Sequence, residues 1–326
     1  MLAKTFTIFT LQPDKTAAFA SALNHDNLAA RALQPRHKTQ AATMGFVPAV
    51  PLAMGGGGVG GEGEGGPLIH CVDGGLVFRV GIEKAVVKKG AITADTSRAV
   101  AQLTRQTGQP PTRGGIYEIK ERVTAEHLAT AKSEFFYYYG WLDTASNRLI
   151  MGAASGVGED MGQLMRQAMH DPLGGLFISR LATQHSPTDI LTAMAQNGGY
   201  SDNRQAAIGD ALKFKASPGQ EISIKGEHGP QLLALILGND YKLGRAQILV
   251  NNRAYLTLDE NWNISGAILH PDQQAALDDD AGADDPESKL SEWQARAFLT
   301  AAELRVALDA LIEVHGGLAS VGEVTP

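Results

Sequence analysis

The chain has 326 residues, with 28 Lys and Arg against 35 Asp and Glu, and therefore a net charge of −7 at neutral pH. Hydrophobic residues make up 44% and charged residues 19% of the chain. This composition is typical of globular proteins and excludes wholesale disorder. The deficit of positive charge argues against histone-like binding of nucleic acid over the whole surface, but it leaves room for a local basic patch.

Cys71 is the single cysteine, so an intrachain disulfide is excluded. We predict it to be a small core residue of a strand over Leu68–Val72. The N-terminal segment has the pattern of a strand and lacks the features of a signal peptide. No apolar run approaches the roughly 18 residues that a membrane span needs. These features predict a cytoplasmic protein with no membrane partner.

In the first quarter of the chain, the sequence pattern predicts strands and one short helix. Thr5–Leu11 is rich in aromatic and β-branched residues, and Pro13 then begins an Ala-rich helix. Nine of the twelve residues in Gly55–Gly66 are glycine, which predicts a mobile loop because ordering so many glycines is entropically costly. Asp73-Gly-Gly75 predicts a hairpin turn between Leu68–Val72 and the strand that follows.

The next segment is predicted to be helical and basic. Two helical stretches, Lys88–Arg105 and Tyr117–Lys132, flank a break rich in Pro and Gly. Phe78–Arg122 holds nine basic and four acidic residues, a local net charge of +5. This segment therefore opposes the sign of the whole chain.

The second half alternates strands and helices without a regular repeat. The aromatic strand Phe135–Asp143 is predicted to pair with Asn147–Gly152, and Asp272–Glu292 holds eight acids and one base. That acidic segment predicts a solvated loop or helix edge. Further strands are predicted over 212–215, 221–225, 246–250, 254–258 and 262–269, and helices over 159–170, 187–197, 231–237 and 297–315. The irregular order predicts an α+β fold with mixed antiparallel sheets rather than a doubly wound fold.

One glycine pattern suggests an enzyme. Leu149–Gly158 places Gly152, Gly156 and Gly158 between a strand and a helix, a spacing that resembles the nucleotide loop of short-chain dehydrogenases. The Tyr-x-x-x-Lys pair of that family is missing, and about 150 residues precede the loop. An NAD(P)-binding oxidoreductase using Gly152–Gly158 therefore stays an alternative. Apart from this loop, no pattern predicts a catalytic residue, a metal site or a cofactor.

Basic residues form the remaining clue, because phosphate binding needs several cations on one surface. They fall into groups along the chain: Lys84, Lys88 and Lys89; Lys132; Lys213, Lys215 and Lys225; Lys242, Arg245 and Arg253. Spacing alone also fits ordinary solvated lysines.

Several segments, taken in order, resemble the bacterial recombination-associated protein family RdgC. Met44-Gly-Phe-Val-Pro48 is similar to that family's Met-Gly-Trp-Val-Pro, and Glu83-Lys84 to its Glu-Lys-Ile-Leu-Pro element. Trp141-Leu-Asp-Thr144 with Leu149-Ile-Met151 resembles its Trp-Ile-Asp-Thr…Leu-Ile-Met hairpin. Phe298–Gly317 resembles its last helix.

The resemblance implies a non-catalytic protein that binds duplex DNA with little sequence preference. It implies a ring-shaped homodimer that encloses DNA and is associated with the nucleoid. By occupying DNA, this dimer would restrain RecA-promoted recombination. Each subunit is expected to have a central region (1–85 and 125–178), a helical tip (86–124) and a base (179–326). A ring-forming interaction protein without DNA affinity stays a second alternative.

The resemblance transfers unevenly to individual residues. The family's functional lysine falls on Lys225, whereas its Pro-Arg-Ala-Phe element falls on Ala129–Lys132, with Lys132 in place of the aromatic wedge. Phe135 or Phe136 is expected to supply that ring instead. The expected phosphate contacts are Lys225, Lys132, Arg245 and Arg253, supported by Lys84, Lys88, Lys89, Lys213 and Lys215. The Gly55–Gly66 loop has the character of an insertion.

Overall fold

A computed structural model describes residues 3–51, 66–168, 178–216, 219–226, 229–269 and 286–319. The predicted α+β class is confirmed, with two antiparallel sheets and, in the described ranges, eight helices. The strands are β1 Thr7–Leu11, β2 Ala42–Val47, β3 Ile69–Val72, β4 Gly75–Ala85, β5 Ser133–Asp143, β6 Arg148–Met151, β7 Ile178–Arg180, β8 Ala206–Lys215, β9 Glu221–Lys225, β10 Lys242–Val250, β11 Ala254–Asp259 and β12 Ile264–Leu269. The helices are α1 Pro13–Ala22, α2 His25–Ala29, α3 Lys89–Thr107, α4 Arg113–Thr130, α5 Ser155–Ala168, α6 Pro187–Gln196, α7 Pro230–Leu237 and α8 Pro286–Val314.

The chain divides into two compact units. The large unit comprises Met1–Ala30, Pro48–Arg79 and Tyr138–Pro326, and the small unit comprises Arg31–Val47 and Val80–Tyr137. Strands β4 and β5 contribute residues to both units. The predicted division into central, tip and base regions follows other boundaries and stays a prediction.

The large unit contains two layers of sheet. One has the strand order β4-β5-β6-β1-β7, with β3 paired to β4, and the other has the order β12-β11-β10-β8-β9. The hairpin predicted at Asp73-Gly-Gly75 is confirmed, because Asp73 and Gly74 have φ values of 48° and 70° and so form the left-handed turn that two-residue hairpins favour.

The prediction that Cys71 is a core residue is wrong. It lies on β3 as expected, but its side chain is exposed, whereas that of Val72 is buried. Successive residues of a strand point to opposite faces, and the registered partner of Val72 is Gly75 on β4. Val72 therefore faces the core and Cys71 faces away from it.

Helix α8 supplies much of the core of the large unit. It begins at Pro286, eleven residues before the predicted start at Ala297. The early turns form because Trp293, which is 2% exposed, is buried in the same cluster as Leu304 and Leu308. The end of the acidic segment is therefore helical. Residues 272–285, like residues 55–65 of the predicted glycine loop, lie outside the described residues.

The small unit contains a helical hairpin and three strand segments in the order β2-β4-β5. Helix α3 ends at Gly108, which has a φ of 72°, and α4 begins at Thr112, whose side chain accepts a hydrogen bond from Gly115 N. His127 of α4 lies 2.9 Å from Asp95 of α3. Helix α3 buries no residue completely, so this hairpin is only thinly packed.

In the described parts of the chain, no helix is long and apolar enough to cross a membrane.

Candidate nucleic-acid interface

Four of the predicted cations share the outward face of the second sheet in the large unit. Lys213 of β8 lies directly opposite Arg245 of β10 and Ser223 of β9, and Lys225 lies opposite Ala211. Side chains alternate along a strand, so Lys213 and Lys215 point away from the core that contains Leu212 and Phe214. We call the set Lys213, Lys215, Lys225 and Arg245 the lysine face.

Carboxylates neutralise part of the positive charge of the lysine face. The ammonium groups of Lys213 and Lys215 lie 2.6 Å from Glu221 and Glu260, respectively. The hydrogen bond from Lys213 lowers the pKa of the Glu221 carboxyl, and the hydrogen bond to Glu260 raises the pKa of Lys215. These pairs are exposed, where an ion pair contributes little free energy and yields easily to a phosphate or to salt.

Lys225 and Arg245 are the less neutralised members of the lysine face. In the described part of the chain, no carboxylate lies within ion-pair distance of Lys225, whose side chain is exposed. Arg245 donates a 2.9 Å hydrogen bond to Ser265 and stands opposite Asp259 in the strand register. Lys225 is therefore the cation on this face with the most freedom to meet a phosphate.

Arg253 lies apart from this face, in the turn between β10 and β11. Its guanidinium donates a short hydrogen bond to Glu303 of α8, a carboxylate that is only 3% exposed. A buried carboxylate without its partner lowers the stability of the fold, so Arg253 has a structural role as the partner of Glu303. Its predicted phosphate contact stays a prediction.

Three further basic residues, Lys84, Lys132 and Arg36, lie near the same end of β4 and β5 in the small unit, beside Glu83 in the chain or in the fold. The Glu83 carboxylate accepts hydrogen bonds from Ser133 Oγ at 2.5 Å and from the backbone nitrogen of Arg36 at 2.8 Å, and together these bonds lower its pKa. Val86 N donates to the carbonyl of Lys132 at 2.9 Å. Because neighbouring residues of a strand alternate in direction, Lys84 and Lys132 lie on the face opposite to Glu83 and Ser133, whereas Arg36 lies on the Glu83 face.

Arg36 was not predicted as part of the site. Its guanidinium donates to the carbonyls of Gln40 at 2.6 Å and Ala131 at 3.4 Å. It stands far from the predicted basic groups in the sequence, and the folding of β4 and β5 brings it to the same end of the small unit, on the Glu83 face. Lys88 and Lys89 are exposed at the start of α3, close in the chain to Lys84.

The two candidate aromatic wedges are both exposed, Phe135 at 45% and Phe136 at 39%. Adjacent residues of β5 point to opposite faces of the sheet. The hydrogen bond between Ser133 and Glu83 places Phe135 on the Glu83 face, so Phe136 lies on the face that carries Lys84. Phe136 therefore stands on the same face as Lys84 and Lys132.

The glycine loop at Gly152–Gly158 does not form a dinucleotide site of the expected kind. Strand β6, which precedes it, is antiparallel to both of its neighbours, β1 and β5. The dehydrogenase motif needs a parallel βαβ unit. A Cβ on Gly158 would lie 2.5 Å from the Cβ of Thr7, so this glycine allows α5 to approach β1. Helix packing explains the pattern without a nucleotide.

Within the six described ranges, no group of three His, Cys, Asp or Glu side chains is arranged to hold a metal ion.

Comparison with known proteins identifies the family. The family model described as "RdgC: Putative exonuclease, RdgC" matches residues 1–318. The chain belongs to the RdgC family. Curated relatives share the name "Recombination-associated protein RdgC", which supports a role in recombination. The protein from Halorhodospira halophila is 23% identical over 89% of this chain and 90% of its own length.

Other relatives match shorter parts. The Cupriavidus necator protein is 27% identical over 53% of this chain and 58% of its own length. The Bordetella pertussis protein is 29% identical over 40% of this chain and 42% of its own length.

The motif that most specifically resembles the RdgC family, Trp141-Leu-Asp-Thr144 with Leu149-Ile-Met151, has a structural role. Trp141 pairs with Ile150, and Leu142 with Leu149, in the ladder between β5 and β6. Leu142 and Leu149 are fully buried, and Asp143 is 0% exposed. This motif therefore fixes the core of the large unit, and the candidate DNA contacts lie elsewhere.

Proposed function

We propose that this protein binds duplex DNA through its basic side chains, without sequence preference and without cleaving it. The observation that carries the proposal is the lysine face, on which Lys213, Lys215, Lys225 and Arg245 converge from three adjacent strands. Membership of a family whose relatives are named recombination-associated supports DNA as the polyanion.

The binding mode follows from the kind of side chain on the face. Lysines on flexible stems contact phosphates as point charges and carry no information about the base sequence. Such contacts release counterions, so the affinity falls steeply with added salt. The predicted partner is therefore the DNA backbone of any sequence.

The finer parts of the proposal concern assembly and effect. We propose a ring-shaped homodimer that encloses the duplex, associates with the nucleoid and restrains RecA-dependent recombination by occupying DNA. A net charge of −7 fits an enclosed surface, because an acidic exterior repels the backbone while a basic interior attracts it.

The direct test is fluorescence anisotropy with several unrelated labelled duplexes at low salt. We expect equal affinities among sequences and a loss of tenfold or more for Lys225→Glu. The matched control is Lys15→Glu, a partly exposed lysine on α1 whose ammonium lies 3.6 Å from Asp14. A dimer with no affinity for any duplex would overturn the proposal in favour of an interaction protein.

Catalysis is tested separately, because the family's description includes the words "Putative exonuclease". End-labelled duplex and single-stranded DNA are incubated with an excess of the protein and Mg²⁺ or Mn²⁺. We expect the DNA to stay intact through a prolonged incubation. Shortened products that track with the purified protein would contradict the non-catalytic proposal.

The effect on RecA is tested in a strand-exchange reaction. The wild type is expected to slow exchange in proportion to the DNA that it occupies, and Lys225→Glu to lose this effect together with its DNA affinity. Inhibition by a variant that no longer binds DNA would instead indicate direct contact with RecA.

A further inference from the structure

Two carboxylates of this chain bind the two lysines in the middle of the lysine face. Lys213 and Lys215 lie on β8, which has β9 on one side and β10 on the other. Glu221 of β9 lies 2.6 Å from the ammonium nitrogen of Lys213. Glu260, in the turn after β11, lies 2.6 Å from the ammonium nitrogen of Lys215. Each lysine of this pair therefore already has an anionic partner within the protein.

The backbone positions Glu260 for this contact. Its N–H donates to the carbonyl of Gly244 on β10 at 3.0 Å. A Cβ on Gly244 would lie 3.2 Å from Cδ of Lys215 and 3.3 Å from Oε2 of Glu260. Because glycine has no side chain, the stem of Lys215 and the carboxylate of Glu260 lie together against the sheet.

The two ion pairs also interact with each other. The hydrogen bond to Glu260 raises the pKa of Lys215, and the charge of Glu221 adds to this effect. The hydrogen bond from Lys213 lowers the pKa of the Glu221 carboxyl, and the charge of Lys215 lowers it further. The four side chains therefore form one network of alternating charges with no net charge.

We propose that Glu221 and Glu260 compete with DNA phosphates for the lysines of β8 and so limit the affinity of the lysine face for duplex DNA. The inference rests on the proposed function, because it concerns the same face and the same ligand. Carboxylate and phosphate are both oxyanions that accept charge-assisted hydrogen bonds from an ammonium group. A phosphate that binds Lys213 or Lys215 must therefore displace a carboxylate, and the free energy of the broken pair weakens the new contact.

Lys225 and Arg245 bind a phosphate without such an exchange. In the described part of the chain, neither has a carboxylate within ion-pair distance, and Arg245 donates to the neutral hydroxyl of Ser265. DNA therefore meets these two cations first, and it recruits Lys213 and Lys215 only by displacing their carboxylates.

The exposure of the two pairs sets the size of the competition. The four side chains are between 36% and 45% exposed, and water and salt weaken ion pairs at such positions. Displacement of one such pair should lower the association constant roughly two- to fivefold. The carboxylates therefore reduce the affinity of the lysine face without abolishing it.

Fluorescence anisotropy of the full chain with a labelled duplex, at one fixed low salt concentration, tests the inference. Glu221→Gln and Glu260→Gln remove the charge of each competitor and keep its size. We expect each to raise the association constant about two- to fivefold more than the control Asp240→Asn does. Asp240 is exposed just before β10, and no lysine or arginine of the described ranges lies within ion-pair distance of its carboxylate. Increases no larger than that of the control would overturn the inference.

A double-mutant cycle separates competition for a lysine from the general loss of a nearby negative charge. Lys213→Met is expected to weaken duplex binding about two- to fivefold more in the Glu221→Gln background than in the wild type, because only a freed lysine contributes its full contact. Lys215→Met combined with Glu260→Gln provides a second cycle. Additive effects in both cycles would overturn the inference, even if each Gln variant binds DNA more tightly.

The same measurements distinguish a failure of this inference from a failure of the proposed function. A wild type that binds duplex DNA, together with additive cycles, would overturn the internal competition and leave DNA binding intact. A wild type and Gln variants that bind no duplex would overturn both. Thermal melting followed by circular dichroism identifies any variant whose lower affinity comes from unfolding.

Discussion

Arg305 holds the buried carboxylate of Asp143 with two hydrogen bonds, from Nε to Oδ2 and from Nη2 to Oδ1, each 2.9 Å long. Its Nη1 also reaches Asp73 at 2.7 Å, and the guanidinium carbon lies 5.5 Å from the centre of the Trp141 ring. One side chain of α8 therefore fixes both the β3–β4 turn and the end of β5.

Replacement of Arg305 is expected to destabilise the large unit strongly. Arg305→Met leaves the Asp143 carboxylate buried without its partner, which costs about 3–5 kcal/mol in the free energy of unfolding. Urea denaturation followed by circular dichroism measures the change. The control Arg98→Met removes a pair whose arginine is 79% exposed, and should cost less than about 1 kcal/mol. Equal effects of the two variants would contradict this account.

The same pair predicts a dependence on pH. Burial alone raises the pKa of Asp143, but hydrogen bonds from Arg305 and Ser146 outweigh it and hold the pKa below its usual range. The stabilisation is therefore present above the unfolded pKa of about 4 and is lost as the pH falls through the folded pKa. We expect the difference in stability between wild type and Arg305→Met to shrink from pH 7 towards pH 3. A difference that stays constant over this range would show that the carboxylate does not carry the effect.

Two glycine substitutions test the packing explanation of the Gly152–Gly158 pattern. Gly158→Ala places a Cβ 2.5 Å from Thr7 and should cost about 1–3 kcal/mol, because the helix must move away from β1. Gly156→Ala meets no atom within 4 Å and should stabilise α5 by up to about 1 kcal/mol. Thermal melting of the wild type and both variants measures the change in stability, and melting with and without NADP measures any stabilisation by the nucleotide. A melting shift with NADP in the wild type that Gly156→Ala abolishes would revive the nucleotide interpretation.

The alternation of side chains along β5 predicts unequal roles for its two exposed phenylalanines. Phe136→Ala should weaken duplex binding about tenfold, because the aromatic wedge that would insert between two base steps and hold the bent duplex is removed. Phe135→Ala should change affinity little, because Phe135 lies on the Glu83 face. Anisotropy titrations of both variants measure the ratio, and a larger decrease in affinity for Phe135→Ala would reverse the assignment of faces.

Local patterns predicted most of the elements. The turn at Asp73-Gly-Gly75 and strand β9 were predicted closely, because left-handed turn residues and alternating side chains act over a few positions. The start of α8 was predicted too late, because acidic residues obscured the helical spacing of Trp293.

The site was predictable only as a set of residue types. That Lys213 stands opposite Arg245, or that Glu83 binds both Arg36 and Ser133, depends on strand register and long-range pairing. Nor did spacing separate Arg253 from the other cations, since its partner Glu303 lies 50 residues away in the sequence. Whether a basic residue is free for DNA is thus decided by tertiary contacts.

The central claim is that the lysine face binds the DNA backbone, and the salt dependence of duplex binding tests it most directly. The logarithm of the association constant is measured against the logarithm of salt concentration for wild type, Lys225→Ala and the control Lys15→Ala. We predict a steep linear fall for wild type, a slope shallower by about one for Lys225→Ala because one phosphate is no longer neutralised, and no change for Lys15→Ala. A wild-type slope near zero, or one that Lys225→Ala leaves unchanged, would contradict the claim.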